Sequence, residues 1–168
     1  VALSGAEQES ITFFGGCAEE VDFFHRFGRR VKIFNRFDGT TPKISAQWVL
    51  DDFVMPVCSK NLRTHIQRPE DLLDRDLVEY EWLGFQPGDP NWQAWFASVG
   101  LPPCAIRPIA NFSAEIMCIE AAIDNRAIAL VSVIAASREI ERGRIAAPIA
   151  QVLKDRSYYL VCPQERAR

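Results

Sequence analysis

The chain has 168 residues, of which 48% are hydrophobic and 24% are charged, a composition typical of a soluble globular protein with one core or two small ones. Its formal net charge of -3 gives no general reason to expect that the chain itself binds nucleic acid or a membrane surface. It has no apolar run of about 18 residues, so no membrane-spanning helix is expected.

The cysteine and histidine content indicates a reducing compartment and no metal. An odd number of widely spaced cysteines without a C-x-x-C pair favours a cytoplasmic location, and two histidines are too few for a histidine-built metal site. We expect no metal and no cofactor. No leader sequence is recognisable. Because the chain begins at Val1 without an initiator Met and ends soon after a strand-like run, we expect a fragment truncated at both ends.

The first half contains two strand-like runs. VDFFHRFG from Val21 predicts a buried strand whose last residues open toward Arg26. Residues 29–43 are basic and contain Asp-Gly and Thr-Pro pairs, which predicts an irregular connection. WVLDDFVMPVCS from Trp48 predicts a second strand, in which Pro56 indicates an edge, a bend or a crossing.

Helical signals follow. RPEDLLDRDLV from Arg68 has Pro at its entrance and acids in its first turn, which predicts a short helix. A second helix is predicted from Trp92 to near Gly100. A third follows Ser113, and its expected buried face is formed by apolar residues at three-to-four residue spacing. These residues are Ile116, Ile119 and Ile123, with Met117 and Ala121 beside them.

The last segments alternate between strand and helix patterns. The nearly continuous apolar run 127–136 predicts a central parallel strand, broken only by Ser132. Ser137 is expected to cap a short helix that Gly143 closes. SYYLVCP predicts a final strand that stops at Pro163. This order predicts an α/β fold with mainly parallel sheets.

The same order suggests two lobes. The chain is expected to cross between them near residues 55–58 and again between residues 146 and 158. One lobe would then comprise residues 1–56 and 153–168, and the other residues 57–152. A cleft between two such lobes is a common place for a ligand.

Several segments together resemble the effector-binding domain of LysR-type transcriptional regulators, in the branch that contains glycine-cleavage and β-lactamase-gene activators. VDFFHRFG resembles the family's Asp-x-x-x-Arg-x-Gly strand end, and LDDFVMPVCSK resembles its Val-Cys-Ser-Pro crossing. Further matches are RPEDL, the W-x-x-W helix, IEAAIDN, AIALV, and the ending from ERGRI to YYLVCP. The resemblance covers roughly residues 21–163.

The resemblance implies a cytoplasmic bacterial transcription factor with a two-lobed fold like that of periplasmic binding proteins. It implies that the domain binds a small effector such as an amino acid or carboxylate, and that it assembles with itself as a dimer or tetramer. DNA would be bound only through a helix-turn-helix domain absent from this chain. No catalytic residue is expected.

Five residues are candidates for effector binding. Arg26 could supply a guanidinium, Tyr80 or Trp92 an aromatic wall, and Ser113 a hydroxyl near a helix N-terminus, with Phe112 beside it. Each also has a purely structural explanation. Arg26 could form a surface ion pair, Trp92 could be core and Ser113 could be a helix N-cap.

Two other classes of protein stay open. A periplasmic-type solute-binding protein shares the two-lobed architecture, but it predicts a leader and few free cysteines. A fragment of an α/β enzyme predicts a clustered nucleophile and base. Cys58 with His25 or His65 could be imagined in these roles, yet no third orienting residue is marked.

Overall fold

The computed structural model of the chain describes residues 20–24, 30–34, 44–81, 88–101 and 108–163. These residues contain eight strands, four helices and one 3-10 turn. The strands are β1 (Glu20–Phe24), β2 (Arg30–Phe34), β3 (Ile44–Ser59), β4 (Leu77–Tyr80), β5 (Ala110–Phe112), β6 (Ile128–Ser132), β7 (Ile145–Ala146) and β8 (Leu153–Pro163). The helices are α1 (Lys60–Arg63), α2 (Trp92–Ser98), α3 (Glu115–Ile123) and α4 (Val133–Glu141), and the 3-10 turn is Pro69–Leu72.

The chain forms two compact units. The smaller comprises Val1–Trp48 with Tyr159–Arg168, and the larger comprises Val49–Tyr158. The chain enters the larger unit along β3 and leaves it along β8. The lobe boundaries expected at residues 56 and 153 stay predictions.

The smaller unit contains an antiparallel ladder. β1 pairs with β2, and β2 pairs with the end of β8, both antiparallel. The strand predicted from Val21 is β1. The irregular connection predicted for residues 29–43 is wrong where β2 lies, because Val31 and Ile33 alternate with Arg30 and Lys32 as in a strand. Five residues between β1 and β2 are too few for a parallel crossover, so the two strands form a hairpin.

The sheet of the larger unit is mixed. Its order is β8-β3-β6-β4-β5, and β7 pairs with β3. β4, β5 and β6 are parallel to one another, whereas β3 is antiparallel to β6. The α/β expectation is met, but the sheet is not mainly parallel. Helical segments precede each of the parallel strands and return the chain to the same end of the sheet, so β4, β5 and β6 run in one direction. β3 precedes this repeat and runs in the opposite direction.

β6 is the most buried strand of this sheet, since all five of its residues are buried. It is the central strand predicted within residues 127–136, but it ends at Ser132 because α4 begins at Val133. Ser132 caps α4 by accepting hydrogen bonds from the amides of Ile134 and Ala135. The cap predicted at Ser137 is therefore wrong, and the Ser137 hydroxyl donates to the Ile134 carbonyl.

The two faces of the sheet carry separate apolar cores. Met55 and Val57 of β3 pack on the face covered by α3 and α4, and Val54 and Cys58 pack on the face covered by α2. On α3 the buried residues are Cys118, Ile119 and Ala122. Ile116 and Met117 are 57% and 50% exposed, so these two residues of the predicted face are not buried. Three-to-four residue spacing fits this stripe as well as the predicted one. Contact with the sheet buries the stripe that includes the small residues Cys118 and Ala122.

The segment after Arg68 forms a 3-10 turn and then a strand. Asp71 accepts hydrogen bonds from the amides of Gln67 and Arg68, which closes the turn. The helix predicted through this segment is therefore too long, because Leu77 and Val78 are already buried residues of β4. Among the described residues, no helix has the length and apolar character needed to cross a membrane.

Candidate functional site

The parallel strands of the larger unit end at one edge of the sheet, called here the carboxyl edge. β4 ends at Tyr80, β5 at Phe112 and β6 at Ser132, and their register places these ends side by side. α3 begins at Glu115, three residues after β5, and α4 begins directly after β6. In open α/β sheets this edge is where ligands bind. We therefore take it as the candidate site.

Ser132 lies at the centre of the polar groups on this edge. Its hydroxyl donates to Asp52 Oδ2 at 2.6 Å, and its amide donates to Glu115 Oε1 at 2.6 Å. The same hydroxyl oxygen accepts the two α4 amides at 3.1 Å each. β3 runs against β6, which brings Asp52 to this edge. The four residues Asp52, Glu115, Ser132 and Tyr158 are called here the edge cluster.

Asp52 is almost completely enclosed, with 2% of its surface exposed. Its Oδ1 accepts the Phe53 amide at 2.8 Å, and its Oδ2 faces the Tyr158 hydroxyl at 3.5 Å. Burial raises the pKa of Tyr158, and the neighbouring negative charge of Asp52 raises it further. Tyr158 therefore stays protonated and can donate to Asp52.

Glu115 is the titratable member of the cluster near neutral pH. Burial raises its pKa to about 7, and the negative charges of Asp52 and Asp155 contribute in the same direction. The hydrogen bond from the Ser132 amide opposes this shift. Near neutral pH, a change in its surroundings can therefore change the protonation of Glu115.

Further charged groups lie beside the cluster. Arg156 Nη2 is 3.6 Å from Asp89 Oδ2, and its Nε is 3.7 Å from Asp155 Oδ1. These three side chains are mostly buried. On β4, Glu79 is 3.5 Å from the amide of Trp92 at the start of α2, and burial raises its pKa.

This arrangement places the chain's own carboxylates at the starts of helices. Glu115 binds the amide that precedes α4, and Glu79 faces the start of α2, positions that favour negative charge. A polar ligand at this edge would therefore exchange hydrogen bonds with these side chains. Among the described residues, no group of three or more His, Cys, Asp or Glu side chains could hold a metal ion.

The five predicted site residues fall into three groups. Tyr80 and Phe112 are Cα partners in the β4–β5 ladder, and both pack against the core that includes α3 and α4. Ser113 follows them and is exposed, and it does not cap α3, whose N-cap position is Ala114. The structure thus brings these three together at the carboxyl edge. Arg26 lies outside the described residues.

Trp92 lies on the other face of the sheet. It is 1% exposed, and its indole Nε1 donates to the Val78 carbonyl at 2.9 Å. Its ring is 5.9 Å from that of Trp95 and 5.7 Å from that of Phe96, centroid to centroid. The ring is thus part of the core beneath α2. Effector contact by the five residues stays a prediction.

Asp52, Glu115 and Ser132 were not among the predicted site residues, although two of them leave a sequence signal. Asp52 is a carboxylate within an apolar strand, and Ser132 is the polar residue that breaks an apolar run. A charged residue in a strand predicted to be buried indicates a partnered group. Glu115 leaves no such signal, because an acidic residue in the first turn of a helix is common.

Neither of the two thiols that the structure describes has the features of a nucleophile. Cys58 and Cys118 are buried and free, and burial raises their pKa values to about 11 and about 12. Cys58 Sγ lies 3.8 Å from the Ala146 carbonyl oxygen, and His65 is exposed. A thiol held in its protonated form is a poor nucleophile.

Comparison with known proteins identifies the family. The model of the LysR substrate binding domain matches residues 18–168. The glycine cleavage system transcriptional activator of Escherichia coli strain K12 is 29% identical over 154 residues, which cover 89% of this chain and 46% of that protein. An uncharacterized HTH-type transcriptional regulator of Sinorhizobium fredii, y4mQ, is 29% identical over 119 residues, 68% of this chain and 37% of that protein. The chain thus spans less than half the length of these two relatives.

Solved structures show the same fold. The effector domain of the transcriptional regulator AmpR of Pseudomonas aeruginosa superposes with a TM-score of 0.62 at 23% identity, covering 82% of this chain and 62% of that one. CrgA, a LysR-type transcriptional regulator from Neisseria meningitidis, gives a TM-score of 0.60 at 16% identity, covering 82% of this chain and 46% of that one. The predicted α/β effector-domain fold and the resemblance are confirmed. The chain belongs to the LysR substrate-binding domain family.

Proposed function

We propose that this chain is the ligand-sensing and oligomerisation domain of a bacterial LysR-type transcriptional regulator. Its family membership and the regulators among its relatives support this proposal. The regulator acts in the cytoplasm, and a helix-turn-helix domain elsewhere in the full-length protein contacts DNA. The chain itself carries no catalytic activity, a proposal that the buried, protonated thiols of Cys58 and Cys118 support.

The carboxyl edge is the proposed place of effector binding. The observation that carries this proposal is the meeting of two helix starts and three strand ends around Ser132, whose hydrogen bonds join Asp52 and Glu115. Tyr80, Phe112 and Ser113 lie at the same edge. Arg26 and Trp92, the other two residues chosen from the sequence, stay predictions of effector contact: Arg26 lies outside the described residues, and the Trp92 ring is buried in the core beneath α2.

The chemistry of this edge favours an effector with an ammonium group. Glu115 and Glu79 are carboxyls whose pKa values are raised by burial, so a positive charge beside them would stabilise their ionised forms. An amino acid has this group, whereas a simple carboxylate lacks it. We therefore favour an amino acid over a simple carboxylate.

The effector acts by differential binding. A ligand shifts the conformation of a protein only as far as it binds one arrangement more tightly than another. Around Ser132, hydrogen bonds within the protein compete with those that an effector would form, so an occupied site and an empty site differ in their internal contacts. The rest of the regulator responds to this difference in internal contacts.

A thermal-shift screen tests ligand binding. Purified chain is heated with each of the twenty common amino acids and a set of small carboxylates. A ligand at about a hundred times its Kd adds about 2.7 kcal/mol to the free energy of unfolding and raises Tm by several degrees. Ser113→Ala and Glu115→Gln are expected to reduce the shift, whereas Ser137→Ala, whose hydroxyl bonds only within α4, keeps it. If no compound raises Tm, effector binding of this class is contradicted.

The gene that encodes the full-length protein tests the regulator proposal. A helix-turn-helix segment upstream of the residue numbered Val1 is expected. A secretion leader in that place would instead favour a periplasmic-type solute-binding protein, and a clustered nucleophile and base would favour an enzyme.

A further inference from the structure

Arg156 of β8 carries a mostly buried guanidinium beside the edge cluster. It lies two residues before Tyr158, so the two side chains project from the same face of the strand. The Arg156 side chain is 13% exposed. Burial raises the pKa of Glu115, and the positive charge of Arg156 opposes this shift. The guanidinium therefore lies close enough to the carboxyl edge to act on a group bound there.

Three carboxyl groups lie near this one guanidinium. Arg156 Nη2 is 3.6 Å from Asp89 Oδ2, and its Nε is 3.7 Å from Asp155 Oδ1. Glu115 is the third, since it responds to the charge of Arg156. An arginine and a carboxylate in their best geometry form two parallel hydrogen bonds of about 2.7–2.9 Å. Both ion pairs are longer than this, so an incoming carboxylate could form a stronger contact than either of them.

Asp89 differs from Asp155 in its place in the chain. Asp155 is the neighbour of Arg156 within β8, whereas Asp89 belongs to the connection between β4 and α2, two residues before the N-cap Asn91. In the sheet order, β6 and β3 lie between β4 and β8. Because Asp89 lies outside the strands, it can leave Arg156 without breaking the sheet. Asp89 is therefore the partner of Arg156 that a ligand can replace.

We propose that Arg156 recognises the carboxylate of the effector, and that Asp89 holds Arg156 when no effector is bound. This inference rests on the proposed function, and it narrows the effector to a zwitterion such as a free α-amino acid. The effector carboxylate replaces Asp89 on the guanidinium, and the ammonium group lies toward Glu115 and Glu79. The planar fork of arginine suits this exchange because it binds a carboxylate through two donors at once.

The balance of charge around Arg156 favours replacement over addition. A mostly buried guanidinium needs a counter-ion, and Asp89 supplies one in the empty site. A further carboxylate added beside Asp89, Asp155 and Glu115 would be repelled by like charges. The effector therefore binds in the molecules from which Asp89 has withdrawn, and Asp89 lowers the apparent affinity accordingly.

Matched ligands and a conservative variant test the recognition of the carboxylate. An amino acid that raises Tm is compared at pH 7 with its α-carboxamide, which keeps the ammonium group. Calorimetric titration is expected to show binding of the amide weakened by about tenfold or more, because hydrogen bonds to a charged group are lost. Arg156→Lys keeps the charge but loses the fork, and it is expected to weaken binding of the amino acid by about fivefold or more.

The control for this variant is Arg142→Lys. Arg142 forms an ion pair with Glu139 at 3.3 Å at the end of α4. Its substitution is expected to leave the affinity for the amino acid within about twofold, since the effects of distant sites are independent. Equal losses in the two lysine variants overturn the role of Arg156.

Asp89→Asn tests the replacement, because its expected effect is a gain. The neutral side chain keeps the shape of Asp89 but competes less for Arg156, so the amino acid is expected to bind about threefold more tightly or better. Binding of the α-carboxamide is expected to stay unchanged. Asp124→Asn removes an ion pair of the same 3.6 Å length, with Arg126, and is expected to change neither affinity by more than about twofold. An ion pair that serves only stability predicts no gain for Asp89→Asn.

The outcomes separate this inference from the proposed function. If an amino acid binds but its α-carboxamide binds equally well, or if Asp89→Asn gives no gain, recognition by Arg156 is overturned and the proposed function stands. If no amino acid or small carboxylate binds to either the wild-type chain or Asp89→Asn, the proposed function is contradicted and this inference fails with it. Urea unfolding checks that each variant is folded, and the amide comparison and Asp89→Asn decide the question if Arg156→Lys is not.

Discussion

Glu115 is a carboxyl group held out of water among other negative charges. Its pKa of about 7 lies above the ordinary value of 4.5, so between these pH values the folded state holds a proton that the unfolded state has released. The free energy of unfolding therefore falls as pH rises through this window and levels off above about 7. Glu79 contributes in the same direction, since burial raises its pKa as well.

The first prediction concerns this pH dependence. Between pH 5 and 8 the chain is expected to lose up to about 3 kcal/mol of stability in urea titrations. Glu115→Gln removes the titrating group, so its profile over this range is expected to be much flatter. Glu70→Gln, an exposed residue of the 3-10 turn, is the control and keeps the slope. A wild-type stability that rises with pH in this window contradicts the assignment.

The second prediction concerns Ser132. Ser132→Ala removes the cap of α4 and a donor to buried Asp52, so it is expected to cost about 2–4 kcal/mol in chemical unfolding. Ser137→Ala is the matched control, because its exposed hydroxyl bonds only to Ile134 of its own helix; its expected cost is below about 0.5 kcal/mol. Equal costs for the two serines would show that the Asp52 contact is not formed in solution.

At the scale of elements, the sequence patterns identified most strands and helices but not all of their roles. β6 and α2 lie within the predicted segments, because continuous apolar runs and caps are local signals. β3 and β8 overlap theirs, but each begins four residues before the predicted start at Trp48 or Ser157. β2 was missed because its basic residues conceal the alternation of Val31 and Ile33. The start of α4 was misplaced because an apolar run does not show where a strand gives way to a helix.

The third prediction tests the buried stripe of α3. Ile119 is 2% exposed and Ile116 is 57% exposed, so the same substitution should have very different effects. Ile119→Ala is expected to cost about 2–4 kcal/mol of stability, and Ile116→Ala less than about 0.5 kcal/mol. Urea unfolding at constant pH measures both. A larger loss of stability for Ile116→Ala than for Ile119→Ala would show that Ile116 lies on the buried face, as its spacing predicted.

At the scale of the whole molecule, the fourth prediction tests the proposed role in oligomerisation. We expect a dimer or tetramer, so light scattering should give a mass of about 38 kDa or about 76 kDa, two or four times the 19.0 kDa of the chain. Exposed apolar residues such as Ile109, Ile116 and Met117 offer surface for such contacts. A 19.0 kDa particle at high protein concentration contradicts this prediction.

The candidate site shows where prediction from sequence ends. Tyr80, Phe112 and Ser113 were chosen from the sequence and lie together at the carboxyl edge, since the ends of parallel strands share one edge. Asp52 lies near Ser132 because β3 is beside β6, and it lies near Tyr158 because β8 is beside β3. These contacts join residues 80 and 106 positions apart, and no local pattern encodes such pairings.

The sequence by itself determined the α/β class and the positions of most elements, because apolar periodicity, caps and turn residues act over a few neighbouring positions. The family came from the resemblance of several segments taken in order. Only the tertiary structure decided the strand directions, the buried stripe of α3 and the partners of Asp52. Those features depend on contacts between segments that are far apart in the sequence. A buried polar group without a partner destabilises the fold, so these contacts also select the partner of each buried polar group.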